Sequence, residues 1–216
     1  MGNENTVKVW DILVRIFHWS LVITFVIAYI TSEEENIWHI YSGYAVLGLI
    51  TFRVLWGIIG TRYARFSDFI YSPGSVFKYI KALKDRNPER YIGHNPAGGW
   101  MIIVMLVCLF VVTISGLKVY AIEEGRGPFA GITIDHDIIK DAYADRYEDD
   151  DDTGRRYGRH DEKENEKEEE FWEEIHEIST NIMLFLIFLH IAGVVVSSKL
   201  HNENLVKAMI TGKKNA

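Results

Sequence analysis

Four of the eight histidines, His18, His39, His176 and His190, stand inside or at the edge of apolar runs. An ionisable ring at membrane depth is costly to bury, so its first reading is a functional site facing a protein interior. His176 and His190 are fourteen positions apart. On one helix that spacing gives about 21 Å of rise and an angular offset of about 40°, so the two rings share a face. His18 lies about two turns in from the start of the first apolar run, and His190 about two turns from the end of the last. His39 and His176 each fall within about a turn of the opposite boundary. Depth matching therefore gives two pairs, His18 with His190 and His39 with His176, each drawn from two helices. Two neutral imidazoles approaching one iron from opposite faces of a flat macrocycle would make a bis-histidine haem site. A zinc or copper centre would instead gather three or four ligands at one height.

Arg53 follows His39 by fourteen positions and so lies on nearly the same helix face, at the depth of the His18 and His190 pair. A buried guanidinium needs an anion, and a haem propionate would supply one. Gly43, Gly48 and Gly193 would remove side-chain bulk near the ligands. The single cysteine, Cys108, excludes an intrachain disulfide and a cysteine zinc site, and no Cys-x-x-Cys-His occurs, so haem would be held non-covalently.

The elements that must position these residues are apolar segments long enough to cross a bilayer. Spans are expected at about 12–30, 37–59, 100–117 and 171–198, forming a single membrane domain: an all-α, four-helix transmembrane bundle with two haems in its core. The polar link between the first two makes them an antiparallel hairpin. Four spans put both termini on one side. The loop from Gly60 to Gly99 carries Arg62, Arg65, Lys78, Lys81, Lys84, Arg86 and Arg90, which places that loop and both termini in the cytoplasm. Within it, Ser72 and Pro73 read as the start of an amphipathic helix with Val76, Phe77, Ile80 and Leu83 on one face opposite the lysines, either lying on the membrane surface or packed on protein as a plain connector. Residues 118–170 form an outer acidic loop, expected to be partly mobile, whose later part can extend the fourth helix outward.

The segments VWDILVRIFHW, WHIYSGY, FRVLWGIIGTRYARFSDF, GHNPAGGW, GPFAG, EEIHE, LHIAGV and HNENLVKAMITGKK, spread over nearly the whole chain, resemble the bacterial cytochrome b561 family. The likeness is greatest to its branch of b-type cytochrome subunits of nickel-iron hydrogenases. The resemblance implies two haems b with the same histidine pairing, and quinone or menaquinone as a mobile substrate near the cytoplasmic-side haem. It further implies a quinone contact at Asn95, by likeness to formate dehydrogenase membrane subunits, with His94 beside it as a proton carrier. A polar helix-start turn set by Asn95 and Pro96 accounts for the same residues without quinone.

The expected role is an electron-transfer subunit in the bacterial cytoplasmic membrane rather than a stand-alone enzyme. It would pass electrons between the quinone pool and a periplasmic c-type cytochrome or a hydrogenase small subunit. Membrane lipid surrounds it, and no nucleic-acid partner is expected. The long acidic outer loop departs from the commoner family pattern and would favour a partner with a basic surface. Two alternatives are a superoxide oxidase that reduces quinone, which the negative outer field opposes, and a haem-free membrane anchor.

Overall fold

A computed structural model describes residues 6–32, 36–130 and 151–215, the side chains of 151–164 excepted. The predicted outer loop falls largely outside the described residues, including the acidic run from Glu148 and the side chains of Arg155, Arg156 and Arg159.

The described residues are all-α apart from two three-residue strands. Helices α1 (Ile12–Ile30), α2 (Ile37–Ile59), α4 (Pro96–Glu124) and α5 (Asp151–Leu200) are joined by α3 (Pro73–Lys84), and a short α6 (Leu205–Thr211) follows. Among the described residues four helical segments are long and apolar enough to cross a membrane: α1, α2, α4 and the part of α5 from Asn165 to Leu200. Helix is what such sequences must form in lipid, because every backbone N–H and C=O has to be satisfied within the segment. The 50 residues of α5 would span about 75 Å, far beyond a hydrocarbon core.

Two compact units are present, residues Met1–Phe110 with Asn181–Ala216, and residues Val111–Thr180. In the first, α1 and α2 pack against each other. Asp11 caps α1, its Oδ1 accepting from Val14 N at 2.9 Å. The same carboxylate ties down the far end of α2 by accepting from Trp56 Nε1 at 3.1 Å and Thr61 Oγ1 at 2.5 Å. The start of one helix is thus fastened to the end of the other, as an antiparallel hairpin requires. Asn36 caps α2 and Ser72 caps α3 with Pro73 in its first turn.

Strand β1 (Thr6–Lys8) pairs antiparallel with β2 (Lys213–Asn215), with Lys8 opposite Lys213. Gly212, at φ 79°, closes α6 in the left-handed conformation, and its carbonyl accepts from Val9 N and Trp10 N. The N- and C-terminal segments therefore lie side by side. A buried ion pair fixes this arrangement to the middle loop: Glu203 meets Lys214 at 2.9 Å and Arg90 at 2.7 Å, and Lys214 Nζ donates to the Tyr91 carbonyl at 3.2 Å.

Helix α3 forms as expected, but its faces divide differently. Tyr79 is buried and Val76 and Leu83 are half-buried on the protein side, whereas Phe77 and Ile80 are exposed, 74% and 49%, on the face shared with Lys81 and Lys84. The lysines border the exposed apolar pair rather than oppose it, which suits a helix whose lysine stems lie along a membrane surface.

Candidate functional site

In the first unit, His18 projects from α1 one residue after buried Phe17. Its Nδ1 is enclosed with no hydrogen-bond partner, and the ring is near enough to His190 of α5 to feel a charge there. Imidazoles on two different helices thus interact electrostatically. Three positions beyond His190, a Cβ on Gly193 would meet nothing within 4 Å, and the same holds at Gly43. Gly48 is also open, but it is exposed and lies about 180° around α2 from His39, so it does not line the ligand face.

Ser42, Val46, Ile50, Arg53 and Gly57 form the buried stripe of α2. Arg53 is 3% exposed, and among the described residues no carboxylate lies within ion-pair distance of it. Its guanidinium sits over the Phe66 ring at 4.9 Å and near Phe69 at 5.9 Å, leaving Nη1 buried and unpartnered. Phe66 reaches this position because Gly57, one turn after Arg53, leaves room: a Cβ there would lie 2.1 Å from the ring. Asp11 contributes an attractive field, yet its oxygens already serve Val14, Trp56 and Thr61. Burial pushes the Asp11 carboxyl upward, and the donors around it, Thr61 foremost, more than reverse this and hold it below the usual carboxylate range. Arg53 is therefore a buried cation with donor capacity to spare, suited to an incoming carboxylate.

His94 lies between two aromatic rings, Trp10 at 4.4 Å and Phe69 at 4.6 Å between centroids. Its Nδ1 is buried without a partner. Burial, and then the charges of Arg53, Lys214 and His190, push its pKa down to about 3, so the ring is neutral at ordinary pH. Asn95 caps α4: its Oδ1 accepts from Gly98 N at 2.7 Å. That cap leaves the Nδ2 amide as the donor Asn95 can offer elsewhere. Gly99 holds the helix start against the preceding loop, since a Cβ there would lie 2.2 Å from the Phe69 carbonyl.

His39, at the first turn of α2, donates Nδ1–H to the Ala28 carbonyl of α1 at 2.8 Å. A carbonyl only accepts, so this bond fixes the tautomer and puts the ring's lone pair on Nε2, the form a metal binds.

In the second unit, His176 shows the same device independently. Its Nδ1–H donates to the Val112 carbonyl of α4 at 2.9 Å, with Ser115 Oγ at 3.3 Å. The ring lies against Gly116, where a Cβ would be 2.8 Å from Cε1. Glu123, Glu169 and Glu173 also draw their carboxylates within 4.8 Å of one another, on a largely exposed surface.

The partners that orient these rings were not visible in sequence. Ala28 and Val112 act through main-chain carbonyls, which no side chain announces. Trp10, Phe66 and Phe69 look like ordinary core aromatics. Only the adjacent small residues Ser115 and Gly116, within an otherwise bulky apolar run, signal a close approach.

The donor set suits a b-type haem. Two histidines have their tautomers set for metal binding by carbonyl acceptors, two more on different helices interact electrostatically, and a buried arginine lacks a carboxylate partner among the described residues. No curated protein and no solved structure matches the chain. The family model of prokaryotic cytochrome b561 matches residues 9–212. The chain therefore belongs to the prokaryotic cytochrome b561 family, membrane proteins that bind b-type haem and transfer electrons.

Proposed function

We propose that this chain is a di-haem cytochrome that carries electrons between the membrane quinone pool and a basic redox partner on the outer face. The observation that carries the reading is the approach of His18 to His190 on different helices, with Arg53 buried nearby and short of an anion. His18 and His190 would hold the haem on the side of the termini, and His39 and His176 the outer one, the latter pairing resting on matched helix heights. Bound haem supplies a one-electron iron couple whose potential the protein tunes.

Arg53 would pair with a propionate and, as a fixed positive charge, favour the reduced state. Asn95 would donate from Nδ2 to a quinone carbonyl. His94, kept neutral by its surroundings, would exchange a hydrogen bond or proton there without carrying a lasting charge. Termini and middle loop would face the cytoplasm, by the excess of lysine and arginine in the loop.

For the partner, α5 exposes Glu166, Glu168, Glu170, Glu173, Glu174 and Glu177. Such a surface attracts a basic protein, and a c-type cytochrome fits this better than an anionic substrate does. The test is quinol-driven reduction of protein-bound haem in proteoliposomes, followed by its oxidation by a basic c-type cytochrome added outside. The reading expects both steps, the second slowing as salt rises. Failure of quinol to reduce the protein would refute the reading.

A further inference from the structure

Beside α1, an open groove of about 340 Å³ runs between the first span and α6, and the ring of Trp19 in its wall meets the His18 ring edge-on, with centroids 5.2 Å apart. Its walls are apolar: Ile12, Ile16, Trp19 and Ile23 from α1, and Met209 and Ile210 from α6. Ile12, Ile16, Ile23 and Ile210 are each more than half exposed, a surface that in a membrane meets acyl chains. The groove also contains Arg15. One end of the Arg15 guanidinium donates to the Ile210 carbonyl, while its Nε is buried with no partner.

The cations around it are short of anions too. Gly212 presses on Arg15, for a Cβ there would lie 3.2 Å from Arg15 Nε. The next residue, Lys213, stands directly opposite Lys8 in the terminal sheet. Both lysines are exposed, and neither has a carboxylate within ion-pair distance among the described residues. Like charges facing each other across a strand pair are unfavourable unless something negative lies between them. Arg15, which lines the apolar groove and lies against Gly212, adds a third cation next to this pair.

We propose that this groove is a binding site for an anionic phospholipid, with the phosphate held by Arg15, Lys8 and Lys213 and an acyl chain lying along Ile16, Trp19 and Ile23. Charge at the mouth selects the headgroup, and the apolar walls require a tail. Basic pockets at the ends of membrane helices recognise lipids in this way, each lysine or arginine near the surface being worth roughly fivefold in affinity. The occupant would also pin α6 and the terminal sheet to the bilayer, at the end of the molecule where His94 and Lys214 lie. The inference requires α1 to cross the membrane and is independent of the haem assignment.

The test is native mass spectrometry of the haem-loaded full chain, released from micelles doped with equal amounts of phosphatidylglycerol and phosphatidylcholine. The expected result is retained phosphatidylglycerol, with the preference falling roughly fivefold for each of Lys8→Gln and Lys213→Gln. Both lysines are exposed, so these variants keep their fold even if Arg15→Gln does not. A control pair on α3, Lys81→Gln with Lys84→Gln, should leave the retained lipid in place. Equal retention of both lipids, or loss of the preference only in the α3 pair, would overturn the proposal. Displacement of the lipid by millimolar inorganic phosphate would overturn it in favour of a free-anion site.

Discussion

The ring of His176 rests on the α-carbon of Gly116, so closely that a Cβ there would lie 2.8 Å from Cε1 and 3.0 Å from Nδ1. Gly116→Val should therefore drive the imidazole off the Val112 carbonyl that sets its tautomer. Changes to groups that orient a metal ligand typically cost 10- to 100-fold in affinity, roughly the weakening expected at the outer haem. The haem-to-protein ratio should drop toward one while the spectrum of the remaining haem is unchanged. Unaltered haem content in a folded variant would mean that His176 is not a ligand.

Arg53 and Gly57 act together, because the notch at Gly57 seats the Phe66 ring over which the guanidinium lies. Arg53→Gln removes a fixed positive charge and should lower the potential of one haem by tens of millivolts, leaving the other in place. Gly57→Val should overpack the notch at a cost of about 1–3 kcal/mol and disturb that haem as well. Redox titration followed by optical spectroscopy distinguishes the two. A potential indifferent to Arg53 would remove the arginine from the haem environment.

How far the sequence announced this arrangement can be judged at particular residues. The burial of Arg53 follows from its place on the helix face that carries Ser42, Val46, Ile50 and Gly57. Matched depths anticipate the electrostatic influence of His190 on His18. What periodicity does not reveal are contacts distant along the chain. The pairing of Lys214 with Glu203 and the sandwiching of His94 by Trp10 and Phe69 depend on how the terminal segments return over the middle loop. Strands of three residues have too short a pattern to be recognised. On α3 the sequence reading put Val76, Phe77, Ile80 and Leu83 on one face, whereas Tyr79 turns inward with Val76 and Leu83 while Phe77 and Ile80 turn outward, a split that depends on which neighbours arrive.

Glu203 anchors the returning C-terminal segment. Burial raises its pKa, but Lys214 and Arg90 outweigh this and hold it below the ordinary glutamate value of 4.5. A carboxyl depressed on folding contributes stability that is present above the unfolded pKa and is lost as pH falls through the folded one. The protection factor of the amides at Lys213–Asn215, taken against the unfolded-chain exchange rate at each pH, should therefore be high at neutral pH and fall well below 4.5. Glu203→Gln should lower it at neutral pH, by a loss of roughly 1.5–3 kcal/mol for the charged hydrogen bonds. Protection that persists in the variant would show that the sheet is held by other contacts.

His94 gives the complementary pH signature. Its folded pKa of about 3 lies below the ordinary histidine value of 6.5, so the unfolded chain takes up a proton first as pH falls. Stability linked to His94 is present in full above 6.5 and erodes between 6.5 and 3, at up to about 1.4 kcal/mol per pH unit. His94→Phe keeps a ring between Trp10 and Phe69 and should flatten that slope between pH 6.5 and 4.5, above the range where Glu203 titrates. An identical thermal-stability profile in the variant would contradict the neutral, buried state of the ring.

Whether four histidines on three helices hold two haems is decided by haem quantitation with an optical spectrum of the purified protein. A haem-to-protein ratio near two is expected, with the sharp reduced-state bands of bis-histidine ligation, and a ratio near one after His190→Leu. A ratio near one before any substitution, or haem content unchanged by loss of His190, would contradict it.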